Sequence, residues 1–278
     1  MSTPVPPPAA APSPSGPLIS LRGVHKTYRS RRGDGIVAVQ DVDLGIRDKE
    51  FVTLVGPSGC GKSTLLMMVS GLILPSDGAI EFDGAVVQAP HPDVGLVFQN
   101  SVLMPWRTVL QNVLLPIEIL RRDVAAYRPQ ARELLALVGL EGFEHATPRE
   151  LSGGMQQRAA ICRALIHNPR VLLMDEPFAA LDAMTREEMG IELLRLWDER
   201  QKTVLFVTHS IPEAVLLADR VVAMTARPGR IAEVIPVNLP RPRTMEMTYS
   251  DTFKECSERI RRHIFARRRP ADRGEAAP

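Results

Sequence analysis

The stretch GPSGCGKSTLL, residues 56 to 66, sets glycines, hydroxyls and one lysine side by side and runs straight on into apolar sequence. Gly56, Gly61, Lys62 and Ser63 occupy the positions of G-x-x-x-x-G-K-[ST], with Pro57, Ser58, Gly59 and Cys60 between them and Thr64 following. Such a loop wraps backbone N–H groups around phosphate oxygens, and glycine permits the close approach and the positive φ angles. A helix opening near Gly61 aims its dipole and its unpaired N–H groups at the same anion. Residues 56 to 64 are therefore expected to hold phosphates. An accessible Cys60 thiol would make the loop sensitive to bulky adducts. A glycine turn capping an ordinary core helix would look alike in isolation, so the surrounding sequence has to decide.

That surrounding sequence is strand, loop, helix. FVTLV (51–55) is a short, fully apolar strand feeding the loop, and the helix after it carries Leu65, Leu66, Met67, Met68 and Val69 before Gly71 stops it. Upstream, LISLRGVHKTY and IVAVQDVDLGI read as β-rich, and AIEFDGAVV contains Asp83-Gly84, a hairpin turn signal. Residues 108 to about 150 read as mostly helical. Pro129 would kink a helix running from Asp123, so a start near Pro129 is expected, with an end at Gly139. Strands and helices then alternate: VLLMD (171–175), a helix with a Thr185-to-Glu188 capping box, TVLFVTH (203–209), a helix with a Ser210-to-Glu213 box, and RVVAMT. Apolar strands between helices imply a parallel sheet covered on both faces.

The whole chain bounds the possibilities. It has 278 residues, 45% of them hydrophobic, enough for a sizeable core. A net charge of +2 gives no global argument for nucleic acid. Cys60, Cys162 and Cys256 have no metal-site spacing and suit a reducing compartment. No apolar run has the roughly 18 to 20 residues of a membrane span. Residues 1–17 lack the basic start and apolar stretch of a secretory signal and read as a disordered, proline-rich arm. The end of the chain reads as a basic helix passing into an arginine-rich tail.

Four further stretches carry chemistry. VLLMDE puts Asp175 and Glu176 at the carboxyl end of a buried strand, where open α/β sheets bind ligands. Asp175 is placed to hold Mg²⁺ with the Ser63 hydroxyl, and Glu176 to polarise a water attacking a γ-phosphate. Taken alone, such a pair is more often a helix cap or a solvated turn. In LSGGMQQR (151–158), Ser152, Gly153, Gly154 and Met155 open a second helix with bare backbone, a second anion-binding terminus unless Ser152 is an ordinary cap. Gln99 ends the strand VGLVFQ, within reach of a metal or attacking water, and His209 ends TVLFVTH, within reach of a γ-phosphate.

Together these stretches resemble the nucleotide-binding subunit of ATP-binding-cassette (ABC) transporters over about residues 18 to 240. The resemblance makes 56–64 the Walker A loop, Gln99 the Q-loop glutamine, LSGGM the signature, VLLMDE Walker B, Asp182 in ALD the D-loop aspartate and His209 the switch histidine. It implies a P-loop NTPase α/β fold with a mainly parallel core sheet, an N-terminal antiparallel β subdomain, and a helical signature subdomain at about 100–160. It implies ATP and Mg²⁺ as ligands, with Ser63, Gln99 and Asp175 at the metal, Glu176 and His209 catalytic, and Tyr28 stacked on adenine. It further implies a homodimer in which Ser152 to Met155 contact the partner's ATP, bound to permease subunits and thus indirectly to a solute-binding protein. Such a subunit lies peripherally on the cytoplasmic face of the membrane. Met155 departs from the more usual glutamine, at a position that offers mainly backbone. FQNSVLMPWRTVLQNV, HSIPEAVLLADRVVAMTARPGRI and LPRPR (239–243) are similar to importers of the nitrate, sulfonate and taurine group. The competing reading, a soluble ABC-type ATPase acting on nucleic acid or translation, draws on the arginines near the C-terminus and lacks the long heptad run or tandem cassette usual there.

Overall fold

The computed structural model describes residues 16–29, 35–179 and 181–265. Two sheets form. The first is antiparallel, in the order β2-β1-β4-β5, from β1 (Ile19–Arg29), β2 (Gly35–Ile46), β4 (Asp77–Phe82) and β5 (Ala85–Val86). Asp83 and Gly84, with φ of 51° and 78°, make the tight turn between β4 and β5 that their residue types demand. The second sheet has the order β10-β9-β3-β8-β7-β6, from β3 (Phe51–Val55), β6 (Val94–Val97), β7 (Val171–Asp175), β8 (Thr203–Val207), β9 (Arg220–Met224) and β10 (Ile231–Pro236). All its pairings are parallel except that of β10 with β9. The expected mainly parallel core sheet and N-terminal antiparallel sheet are both present.

The helices are α1 (Lys62–Val69), α2 (Val109–Ile119), α3 (Val124–Leu137), α4 (Gly153–Leu165), α5 (Ala183–Arg200), α6 (Ile211–Leu217) and α7 (Asp251–Phe265). The period-2 geometry of a strand explains why the central runs are apolar at every position. Phe51, Leu172, Met174, Val204 and Phe206 point into one core with α2, α4, α5 and α6. Val52, Leu54, Val171, Leu173, Leu205 and Val207 point into the other, with α1 and the antiparallel sheet. The parallel sheet is thus the middle layer of the molecule.

Two helix starts differ from the sequence expectation. α3 begins at Val124, not near Pro129, because the Asp123 side chain accepts the Ala125 N–H and caps the helix there. Pro129 sits inside it and costs one backbone hydrogen bond. α5 begins at Ala183, with the Asp182 carboxylate, not Thr185, as its cap, accepting from the Thr185 N–H and hydroxyl. The α6 cap is half of a box. Ser210 accepts the Glu213 N–H, but the Glu213 side chain turns to Thr208.

Candidate active site

Because β3, β6, β7, β8 and β9 are parallel, their carboxyl ends share one edge, and every strand-end motif arrives there. A cleft of about 520 Å³ opens on that edge. It is lined by Ser58, Gly59, Gly61, Lys62, Ser63 and Thr64 from the loop, Gln99 from the β6 end, Glu176 from the β7 end, and Tyr28 with residues 36–38 from the antiparallel sheet.

Gly61 shows why the loop needs glycine. Its φ is +94°, and a Cβ there would lie 2.7 Å from the Ala38 carbonyl oxygen. α1 starts directly after Gly61 with no side chain capping it, and its first residues Lys62, Ser63 and Thr64 line the cleft. Lys62 is buried at 5% exposure, and its ammonium donates to the Gly56 and Pro57 carbonyls at 2.9 and 3.2 Å. Asp175 ends β7 opposite Ser63, whose hydroxyl donates to its Oδ1 at 2.9 Å. Burial pushes the Asp175 carboxyl up, while Ser63 and Lys62 pull it back. Glu176 takes a positive φ of 45°, uncommon for a residue with a side chain, and its N–H donates to the Val207 carbonyl. Its Oε2 lies 3.0 Å from His209 Nδ1. Asp175 and His209 thus reach the cleft through Ser63 and Glu176. Tyr28 is 39% exposed at the cleft wall, with the Lys26 ammonium 5.5 Å from its ring centre.

Other expected residues lie apart from this cleft. Ser152 caps α4 by accepting the Met155 N–H, and Ser152 and Gly153 are exposed, yet none of residues 152–155 lines it. Asp182, at the α5 start, is likewise absent from the lining. Gly154 lies beside the residue before Asp182, since a Cβ on Gly154 would meet the Leu181 side chain at 2.8 Å. Cys60 corrects an expectation. Its side chain is fully buried in the core beside the antiparallel sheet, so only its backbone belongs to the loop. Burial also raises its thiol pKa, against the pull of Lys62.

Sequence reading missed several contributors. Arg227, after β9, lines the cleft and donates from Nε to the Gly59 carbonyl at 3.2 Å. It sat inside a stretch noticed only for its likeness to importers. The LPRPR stretch also acquires a physical role. Arg243 is buried and donates from Nη1 to the carbonyls of Val215, Leu216 and Ala218, closing the C-terminal end of α6. Arg241 stacks on Trp197 at 3.8 Å and pairs with Asp219. Burial lowers the Arg243 pKa to about 10.

A phosphate-cradling loop, a hydroxyl–carboxylate pair and a carboxylate–imidazole pair on one sheet edge make a site for a nucleoside triphosphate. The chain belongs to the ABC transporter family, whose model matches residues 39–179. Its nucleotide is ATP and its activity ATP hydrolysis. It is 46% identical over 231 residues to the nitrate import ATP-binding protein of Synechococcus elongatus, covering 82% of this chain and 84% of that one. It is 41% identical over 242 residues to the aliphatic sulfonates import ATP-binding protein of Bacillus cereus, covering 87% and 94%. A solved dimeric, post-hydrolysis ATP-binding cassette bound to ADP and Pi superposes with a TM-score of 0.72 at 35% identity, over 80% of this chain and all of that one.

Proposed function

We propose that this ATPase drives uptake of a small anion, nitrate or an organosulfonate such as taurine, through a separate permease fed by a solute-binding protein. The observation that carries the ATPase part is the convergence of the phosphate loop, the Ser63–Asp175 pair and the Glu176–His209 pair on one sheet edge. Identity to importer subunits for nitrate and sulfonates supports the solute class. In our division, residues 18–240 are the cassette with its helical part at about 100–160 and 241–278 follow it; most of the arm read at 1–17 and the arginine-rich tail after 265 lie outside the described residues.

We assign the site as follows. Backbone N–H groups from Gly56 to Thr64, with Lys62, hold the phosphates, and Tyr28 stacks on the base. Ser63 and Asp175 present hard oxygens 2.9 Å apart, with Gln99 at the same cleft, a donor set that fits Mg²⁺. When bound, Mg²⁺ neutralises charge on the β- and γ-phosphate oxygens. Glu176 accepts a proton from the attacking water, and His209 holds that carboxylate and the γ-phosphate in line. A second copy supplies Ser152, Gly153, Gly154 and Met155 to close the site, with Asp182 beside them. Assembly on a permease places the subunit at the cytoplasmic face of the membrane. Among the described residues no helix is long and apolar enough to cross one.

The test is reconstitution of the chain with its permease and solute-binding protein in vesicles. Nitrate or a sulfonate should stimulate ATP hydrolysis and accumulate inside. Stimulation by neither, with the assembled complex intact, would sink the solute class. Retention on nucleic acid at physiological salt without any permease would favour the competing soluble ATPase.

A further inference from the structure

Behind the catalytic edge, a polar tie joins the two segments that carry Glu176 and His209. Thr208 donates its hydroxyl to Glu213 Oε2 at 2.6 Å, and the same hydroxyl accepts the Ser210 N–H at 2.9 Å. His209 is thereby flanked by two residues pinned to one oxygen. The other oxygen of Glu213 faces Arg186 Nε at 3.5 Å, with the Glu213 side chain only 14% exposed. Arg186 in turn donates to the Phe178 carbonyl at 3.3 Å and the Leu181 carbonyl at 3.0 Å, in the segment that leads from Glu176 to Asp182. A carboxylate in a largely desolvated place, hydrogen-bonded on one side and paired on the other, holds both neighbours in one geometry.

We propose that Glu213 is a positioning residue for ATP hydrolysis: through Thr208 and Arg186 it fixes the turn bearing His209 against the segment bearing Glu176 and Asp182. This rests on the roles proposed for Glu176 and His209 above. Glu213 does not line the cleft, so it acts on turnover and not on ATP affinity. A displacement near 1 Å at the reacting groups costs up to roughly 10²-fold in rate, which sets the scale of the effect.

The experiment measures kcat and KM for ATP on the full-length chain carrying Glu213→Gln, Thr208→Val, Thr208→Ser or Glu176→Gln. Thr208→Val keeps shape and removes the hydroxyl, while Glu213→Gln keeps an acceptor for Thr208 and removes the charge facing Arg186. Both should lower kcat about 10- to 100-fold with KM nearly unchanged. Thr208→Ser, which keeps the hydroxyl, should restore kcat. A folded Thr208→Val with normal kcat, or an equal loss in Thr208→Ser, would overturn the proposal, since the second outcome assigns the loss to packing. If Thr208→Val does not fold, Glu213→Gln decides by the same split. Normal turnover in Glu176→Gln would remove the underlying site assignment. Loss there beside normal kcat in Glu213→Gln and Thr208→Val would remove only the tie.

Discussion

Tyr28 shows how a single residue type becomes informative once placed. In sequence it is one tyrosine in a β-rich stretch; in the fold it lines the same cleft as Lys62 and Glu176. Stacking needs the ring and not the hydroxyl. Tyr28→Phe should bind ATP almost as the parent does, and Tyr28→Ala should lose about 1–3 kcal/mol of affinity, the range of base–aromatic stacking in nucleic-acid complexes. Titration of a fluorescent ATP analogue checks this, and equal affinity in all three would return Tyr28 to a structural role. Cys60 runs the other way. Its position in the loop suggested a reactive thiol, but side-chain direction is invisible in a linear motif, and here it points into the core. Reactivity belongs to the thiolate, and burial raises the thiol pKa of Cys60, of Cys162 to about 12, and of Cys256. All three are buried, so the native chain at pH 8 should resist an alkylating reagent and label fully only in denaturant. Fast labelling of native Cys60, seen by peptide mass mapping, would contradict this.

At the scale of elements, the strands were legible because burial on two faces leaves a run of apolar residues that no turn or surface segment shares. β3, β7 and β8 were each recognisable on that ground, and their parallel pairing followed from the helices between them. Helix starts were less legible, because several residue types compete to cap. Asp123 outweighed Pro129, and Asp182 outweighed Thr185, since a carboxylate in extended backbone satisfies the first N–H groups wherever it stands. Long-range partners had no local signal at all. α6 is a seven-residue helix, too short to be stable by itself, and its far end is satisfied by Arg243 from beyond β10. Removing that guanidinium leaves buried carbonyls without donors, at about 1–3 kcal/mol for each. Arg243→Met should therefore lower the free energy of unfolding by about 2 kcal/mol or more in a denaturant titration, whereas Arg261→Met on α7 should leave it unchanged. Equal stability of the two variants would show that α6 is held by packing alone.

The whole molecule presents an imbalance. One surface gathers the phosphate loop, Gln99 and Glu176, with Asp175 and His209 bonded to Ser63 and Glu176, while the α4 terminus at Ser152 and Gly153 is exposed and lies outside that cleft. In the head-to-tail pair proposed above, two-fold symmetry would bring each α4 terminus to the other copy's cleft and give two composite sites. The solved cassette that superposes on this chain is itself dimeric. Gly153 is the cleaner position to probe this, because a Cβ there meets nothing within 4 Å, whereas one on Gly154 presses on Leu181. An aspartate at the first turn of α4 does not disfavour the helix, yet it repels a phosphate.

ATP hydrolysis by mixed dimers separates shared sites from self-contained ones. Lys62→Ala and Gly153→Asp homodimers should each be nearly inactive, one lacking the phosphate lysine at both sites, the other carrying a repelling carboxylate at both. Mixed in the presence of the permease, they form heterodimers in which one site bears both defects and the other bears neither. The mixture should regain a substantial fraction of parental ATPase activity, in proportion to the heterodimer present. Full activity in the Gly153→Asp homodimer, or no recovery in a mixture shown to contain the heterodimer, would contradict it.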